Sequence, residues 1–387
     1  METAASTDRR NAASSDQGAH SWDRLLPSDA TEGALVTSGS LESRRVLITG
    51  AGGSIGAAIA KAAAASKPAS LILFDSSENA LYQVDRRLRQ TGSQRHVSIL
   101  GSLCDPGSVE HAIAVHQPEV IFHAAALKHV PLMEENPFAA IETNVFGTLT
   151  LMEAASAHDV AQMVLISTDK AVDACSMMGA SKRIAELLVL SSLSLIRRTV
   201  VRLCNVMGSQ GSVLPLFVEQ IAKGGPITVT DPEVQRYFLT IDEAIRAVFD
   251  ALLVSSSPAL LLPSIAPAVR IVDLARHLLE LHGSSATIAF TGLRPGDKLS
   301  EKLVSSREFF SSHEVYGSGL RAIQTPLAGG GELSAALNAL REAIARRDLR
   351  QLLDGVWALV PEYQPSKVIT TALKNSSAQQ LAPEIQA

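Results

Sequence analysis

A doubly wound parallel α/β sheet is the fold that the sequence predicts, on three observations. Short apolar runs alternate with helix-length segments from Arg44 to Asn205, the pattern of parallel strands joined by crossover helices. A glycine-rich turn, Gly50-Ala51-Gly52-Gly53-Ser54-Ile55-Gly56, separates the first apolar run from an alanine-rich helical stretch. An acidic residue, Asp75, closes the second apolar run, 19 positions beyond Gly56.

The turn and the acid together read as a Rossmann nucleotide-binding half. The spacing of Gly50, Gly53 and Gly56 lets backbone approach a pyrophosphate at a helix N-terminus, where free N–H groups and the dipole favour anions. Asp75 stands where such folds place the acceptor for a ribose hydroxyl. The elements then follow in order. A strand at 44–49 leads into a helix to about Ala65, and LILFD ends at Asp75. The patterns predict a helix over 81–90, a strand over 96–100, a helix over 106–116 and a strand over 120–123. Residues 137–157 read as one long helix with Pro137 in its first turn. A strand over 163–166, a helix over 176–190 and a strand over 199–203 complete the unit. Ligands of such sheets bind beyond the carboxyl ends of the strands, so Gly50, Asp75, Ala124 and Ser167-Thr168 share one rim.

Beyond Asn205 the rhythm changes. Helices are expected over 211–223, 242–253 and 269–282, and short strands over 227–230 and 287–290. TGLRPGDKLSEKL, from Thr291, reads as a turn and the start of a helix. The pieces fit a smaller α/β substrate-binding lobe at 206–310, mainly 206–234 and 276–310, with 235–275 returning to the 44–205 Rossmann domain. Residues 1–43, rich in Ala, Ser and Asp, read as a loose tail. Residues 311–374 read as a helical extension, amphipathic from Gly329 to Val360, and 375–387 as a frayed end.

Composition excludes several function classes. The chain has 387 residues and a formal charge of −5, and it shows no basic stripe of the kind nucleic-acid binding requires. Its three cysteines carry no CxxC spacing, so neither a disulfide framework nor a metal site is expected; Cys104 and Cys204 read as buried thiols. No apolar run has the length of a membrane span, and the N-terminus lacks the apolar segment of a signal peptide. A cytoplasmic location is the expectation.

The chemistry concentrates in Leu165 to Arg183, LISTDKAVDACSMMGASKR. A strand tip bears Thr168, Asp169 and Lys170, side chains that bind or move protons. Met178 and Lys182, four apart, share one face of the following helix. Methionine cannot move a proton, which makes Met178 the anomaly of the stretch.

TGAGGSIG (49–56), HAAALKHVPLMEENP (123–137), TNVFGT (143–148), STDKAV (167–172) and MGASKR (178–183) stand in the order of the extended short-chain dehydrogenase/reductases. With NVMGSQGSVLPLF (205–217), GGPITVTDPEVQRYFLTIDEA (224–244) and GLRPGDKL (292–299), the chain resembles the nucleotide-sugar 4,6-dehydratases of polysaccharide and glycoprotein-sugar biosynthesis over about residues 42–365. The resemblance implies a UDP-N-acetylhexosamine substrate, in the first place UDP-GlcNAc, and a homo-oligomer. It implies oxidation at C4 by a bound NAD(P)⁺, loss of water across C5–C6, and hydride return to C6.

Roles carry over by resemblance. Asp169 would be the acid that expels the C6 hydroxyl, Lys170 the C5 base, and Thr168 a hydrogen-bond partner of the C4 oxygen. Those roles call for a raised Asp169 pKa and a lowered Lys170 pKa. Gly50, Gly52, Gly53, Ser54, Ile55, Gly56, Asp75, Ser76, Ala124 and Ala125 would hold the cofactor, and Lys182 its nicotinamide ribose. Asp75 would repel a 2′-phosphate, which favours NAD⁺, with NADP⁺ the alternative. Lys128 and His129 would lie beside the nicotinamide and sugar, although a lone histidine is more often structural. Asn205, Arg236 and Arg294 would bind the diphosphate, and Asp297 the nucleoside ribose. Met178 fills the place of the superfamily's proton-accepting Tyr, so water or Thr168 would relay the C4 proton to Asp169 or Lys170. The chain departs from its relatives at Asp173-Ala174, where they carry Asn-Pro. A UDP-sugar 4-epimerase, a 5,6-dehydratase and a non-catalytic NAD(P)-binding scaffold are the competing readings.

Overall fold

Six parallel strands, joined late in the chain by a seventh, form the centre of the computed structural model, which describes residues 41–92, 95–255, 257–315 and 319–380. In chain order they alternate with helices: β1 (Arg45–Thr49), α1 (Ser54–Ala65), β2 (Ser70–Asp75), α2 (Glu78–Gln90), β3 (His96–Leu100), α3 (Pro106–His116) and β4 (Val120–His123). Then come α4 (Val130–Glu135), α5 (Pro137–Ile141), α6 (Gly147–Ala157), β5 (Gln162–Thr168), α7 (Met177–Ser191) and β6 (Arg197–Leu203). The order across the sheet is β3-β2-β1-β4-β5-β6, reversing beside β1, and such a reversal opens a ligand crevice.

Alternate residues of each strand enter opposite cores, as the period of two requires. Leu47, Ile121, Met163, Leu165 and Val200 join the core beneath α3 to α7. Val46, Ile48, Val120, Phe122, Val164 and Val201 join the core beneath α1 and α2. Leu41 is fully buried in the second core, so the packed chain begins ahead of the expected boundary at Arg44. The expected tail over 1–40 and the end over 381–387 lie outside the described residues.

The expected single helix over 137–157 is divided. Glu142–Phe146 forms a π-helical turn between α5 and α6. Its extra residue turns Asn144 inward, where Oδ1 accepts from Leu127 N at 2.8 Å and Nδ2 donates to Leu127 O and Ser181 Oγ. The deviation therefore ties the loop after β4 to α7. Hydrophobic period alone does not reveal α4, which precedes it.

After β6 come β7 (Asn205–Val206), α8 (Val213–Ala222), β8 (Ile227–Val229), β9 (Gln235–Arg236), β10 (Phe238–Leu239) and α9 (Ile241–Asp250). β11 (Ala259–Pro263), β12 (Val269–Arg270), α10 (Ile271–Leu281) and β13 (Ile288–Phe290) follow. A third core of Leu214, Phe217, Ile227, Val229, Ile271, Leu274 and Leu278 holds the smaller lobe together. α9 and β11 return to the main sheet and its core. Residues 269–275, expected there too, pack in the lobe instead.

Two expectations for the C-terminal part are corrected. β14 (Phe309–Val315) and β15 (Leu320–Gln324) form an antiparallel hairpin that adds to β11 and extends the sheet to nine strands. β15 and all but the first two residues of β14 lie in the 311–374 stretch expected to be helical; FFSSHEV is too polar to signal a strand. α11 (Gly330–Arg346), α12 (Leu349–Leu359) and α13 (Lys367–Gln380) complete the chain, and α13 runs through the first residues of the expected frayed end. Cys104 is exposed, while Cys204 is buried as expected. Among the described residues no helix is long and apolar enough to cross a membrane.

Candidate active site

The rim at the strand ends carries two adjoining regions. In the first, Gly50 has φ +67°, and a Cβ there would lie 2.6 Å from Ala125 Cα and N, so glycine alone fits against the loop after β4. A Cβ on Gly56 would lie 2.0 Å from Gly50 O. Asp75 Oδ2 accepts from Gly52 N and Oδ1 from Ser77 N, both at 2.8 Å. Gly53 opens α1 with no side chain capping it. Its first-turn N–H groups thus carry no side-chain cap, the arrangement that suits a phosphate. These residues fit a dinucleotide: glycine backbone and helix terminus for the diphosphate, Asp75 for a ribose. Ser76 is exposed beside Asp75.

A strap crosses this turn. Gln210 N donates to Ser54 Oγ at 2.9 Å, and Gln210 O accepts from Lys128 Nζ at 2.6 Å. Gly211, at φ +71°, packs so tightly on His129 that a Cβ would lie 2.6 Å from its Cε1. Burial pushes the Lys128 pKa down. Burial, Lys128 and Arg294 together push the His129 pKa down. Lys128 and Arg294 thus place two cations beside the His129 ring. Arg294 is 60% exposed, and its Nε holds Asp297 Oδ2 at 2.8 Å.

The second region begins where β5 ends. Thr168 is the last residue of the strand, and Asp169–Ala171 form a short 3-10 turn. Thr168 Oγ1 donates to Asp169 Oδ1 at 3.0 Å and accepts from Lys170 N at 3.3 Å. Lys170 Nζ reaches Asp169 Oδ1 at 3.0 Å and Asn205 Oδ1 at 3.3 Å. Asp169 is 1% exposed, and its Oδ2 has no hydrogen-bond partner. α7 begins directly against this turn, with Ser176 Oγ capping Gly179 N at 3.1 Å. A Cβ on Gly179 would lie 2.3 Å from Lys170 O.

Met178 and Lys182 are both buried on α7. Lys182 Nζ donates to Ile166 O at 2.8 Å. Burial, partly opposed by Glu186, lowers the Lys182 pKa to about 8. Met178 packs in the core beneath α7 and has no group that could take a proton.

Lys170 departs from the expected direction. Burial pushes its pKa down, but the Asp169 and Glu301 carboxylates outweigh burial and hold it above the ordinary lysine value. The pair is therefore an ammonium facing carboxylates. Glu301 was invisible to the sequence reading because TGLRPGDKLSEKL read as the start of a helix. Instead Gly296, at φ +81°, completes a turn closed by Asp297 N to Arg294 O at 3.0 Å. The chain then runs extended beside β9, with Gln235 N donating to Leu299 O at 2.8 Å.

Two expected diphosphate ligands are turned to other partners. Arg236 spends its guanidinium on Gln235 O, Leu299 O and Lys298 O at 2.8–3.2 Å. Asn205 Nδ2 donates to Tyr237 O at 3.2 Å while Oδ1 holds Lys170. The signal that could have separated them is position: Arg236 lies in a strand flanking the 298–301 segment, Arg294 in an exposed turn. Among the described residues no group of His, Cys, Asp or Glu is arranged to hold a metal ion.

A buried charge network backs the site. Arg202 donates to Glu186 and Glu308 through four hydrogen bonds of 2.7–2.8 Å. Glu186 also accepts from Ser167 Oγ at 2.6 Å and Arg183 Nη1 at 2.9 Å. The network joins β5, β6, α7 and the segment leading into β14. His123 serves the same end elsewhere. Nδ1 lies 2.8 Å from Thr49 Oγ1 and Nε2 2.9 Å from Thr148 Oγ1, whose own proton goes to Asn144 O. Burial and Lys182 lower its pKa to about 3, so the ring is neutral.

Residues 46–319 match the family model described as "Polysaccharide biosynthesis protein". The chain is 41% identical to the capsular polysaccharide biosynthesis protein CapD of Staphylococcus aureus, over 69% of this chain and 46% of that protein. It thus spans about half the length of that relative. It is 32% identical to a UDP-glucose 4-epimerase of Rickettsia canadensis, over 70% of this chain and 81% of the relative. The X-ray structure of Pen from Bacillus thuringiensis superposes with a TM-score of 0.68 at 30% identity, over 74% of this chain and 90% of that one. A glycine turn answered by Asp75, a Thr-Asp-Lys turn at the end of β5 and a match over most of the chain agree: this chain belongs to the polysaccharide biosynthesis protein family.

Proposed function

We propose that the chain is a nucleotide-sugar-modifying enzyme that dehydrates a UDP-N-acetylhexosamine, in the first place UDP-GlcNAc, to its 4-keto-6-deoxy form. The observation that carries this is the Thr168–Asp169–Lys170 constellation, an acid–base pair at the end of β5 with a hydroxyl aimed at the carboxylate. Epimerisation at C4 needs no acid for a C6 hydroxyl; dehydration needs both an acid and a base.

Bound NAD⁺ would supply the hydride acceptor at C4 and return that hydride to C6. Asp75, with both oxygens directed at backbone N–H groups, supports NAD⁺ over NADP⁺ because a carboxylate there repels a 2′-phosphate. The chain's own residues handle protons. The C4 hydroxyl proton passes through Thr168 Oγ1 to Asp169, which takes the place of the phenol that Met178 lacks. Asp169, now neutral, is the acid for the departing C6 oxygen. Its neutralisation also removes one of the two carboxylates that hold Lys170 protonated; Lys170, partly open to solvent, then releases its ammonium proton to water and, as the neutral amine, takes the C5 proton. The C4 proton is thus accepted by Asp169 in the first step and delivered in the second. Lys182 lies one helical turn from Met178 and serves the nicotinamide ribose, and the Lys128, His129 and Arg294 neighbourhood receives the diphosphate.

The relatives named UDP-glucose 4-epimerase make 4-epimerisation the second reading. Incubating the full chain with NAD⁺ and UDP-GlcNAc and weighing the product decides between the two. Loss of one water supports dehydration and an isobaric isomer supports epimerisation. No product from UDP-GlcNAc or other UDP-N-acetylhexosamines would overturn the proposal.

A further inference from the structure

Glu301 sits beside the Lys170 ammonium group. It is 4% exposed, and its Oε1 lies 3.7 Å from Lys170 Nζ and 4.0 Å from Arg236 Nε. Its Oε2 lies 3.2 Å from Lys298 Nζ, which also donates to Val172 O at 2.7 Å. Arg236 does not approach Glu301 by chance. By binding the carbonyls of Lys298 and Leu299 it fixes the backbone from which Glu301 projects. A carboxylate buried to this degree persists only where cations surround it, and here three do.

We propose that Glu301 is a positioning residue of this site, whose carboxylate fixes both the direction and the charge of the Lys170 ammonium group. With Asp169 on one side, Glu301 on the other and Asn205 Oδ1 between, Nζ donates to Asp169 and Asn205 and faces the Glu301 carboxylate as an ion-pair partner at 3.7 Å. The groups facing it are Asp169 on its own turn, Cys204 at the end of β6, Arg236 on β9, and Lys298 and Glu301 on the extended segment, with Cys175 beyond them. Cys204 and Cys175 are held protonated by burial and neighbouring carboxylates. Only Asp169 and Glu301 therefore act on Lys170 as anions. Glu301 is the one that cannot be neutralised by the relay through Thr168, so it alone opposes loss of the Lys170 proton once Asp169 is protonated, and it sets how readily that proton leaves.

The consequence for catalysis rests on the dehydratase reading; the charge of Lys170 does not, and it is tested directly. Lys170 is 22% exposed, enough for an amine-reactive reagent. The pH dependence of its labelling, read by peptide mass spectrometry, gives its titration midpoint, with the exposed Lys223 as reference. In Glu301→Gln the midpoint falls by about one pH unit or more, and in Glu301→Asp it stays within about half a unit of wild type. The limb of the kcat–pH profile that reports Lys170 moves to lower pH in Glu301→Gln by the same amount. An unchanged midpoint in folded Glu301→Gln overturns the proposal. Should that variant not fold, a Glu301→Asp midpoint displaced as far as that of an unpaired lysine overturns it equally. A wild-type chain inert towards UDP-sugars removes the dehydratase reading and leaves the labelling result to stand alone.

Discussion

Replacing Arg202 by methionine removes the centre of the buried network behind the site and leaves Glu186 and Glu308 to share Arg183 as their remaining cation. The structure sets the size of the effect in two ways. Burial opposes the charge of Glu308, yet Arg202, aided by Ser305 N and Arg183, outweighs burial and draws its pKa from 4.5 to about 2. At about 1.4 kcal/mol per pH unit, this links about 3 kcal/mol of stability to the ionised carboxylate. Removing one partner of a buried ion pair costs about 3–5 kcal/mol by a separate route. At about 2 °C per kcal/mol for a chain of this size, Arg202→Met should melt roughly 6–10 °C below wild type at neutral pH. The sign with pH follows from the direction of the shift. A carboxylate whose folded pKa is depressed contributes stability above its unfolded value, and that contribution is lost as pH falls through the folded value. The deficit of Arg202→Met is therefore full at neutral pH and narrows as pH falls from about 4.5 towards about 2, as the wild type loses the contribution of its ionised Glu308. Thermal unfolding followed by far-UV circular dichroism across that range tests both statements. A melting point within about 2 °C of wild type at neutral pH, or a gap that does not change with pH, would refute the reasoning.

Gly179→Ala places a methyl group 2.3 Å from Lys170 O, so α7 or the Thr-Asp-Lys turn must move. A displacement near 1 Å at a reacting group should lower kcat about a hundredfold while the chain stays folded; undiminished kcat would show that the close approach has no catalytic value. Thr168→Val keeps the volume but removes the hydroxyl donating to Asp169, and turnover should fall roughly a hundredfold with substrate affinity little altered. Unchanged turnover in steady-state kinetics would exclude the relay through Thr168.

The first region of the site was legible because its constraints are local. Gly50 to Gly56 must form a tight turn wherever the chain goes, and Asp75 lies at the end of the next strand, so spacing alone brings them together. Thr168, Asp169 and Lys170 are equally local, and the apolar run before them announces the strand that aims them. Glu301 was not legible. It reaches Lys170 only because Gly296 turns the chain and residues 298–300 pair with β9, a long-range event that leaves no period in the sequence. Arg236 shows the converse. Its residue type suits a diphosphate, but its donors are taken by backbone carbonyls that no sequence pattern identifies. The π turn at Glu142–Phe146 escaped for a third reason: a single extra residue in a helix barely changes the apolar spacing, although it decides where Asn144 points.

The extended sheet has a consequence for the order in which the chain can become stable. Arg202 and Glu186 are synthesised well before Glu308, which lies 106 residues beyond Arg202. Until Glu308 arrives, two buried arginines face one buried glutamate, and the edge of β11 that β15 and β14 later cover is bare. A nascent Rossmann half ending before the hairpin is thus complete in hydrophobic pattern but unbalanced in charge and open at its edge, the condition that exposes partly made domains to aggregation. Fragments ending near Ser300 should be poorly soluble, while those extending past Gln324 should not.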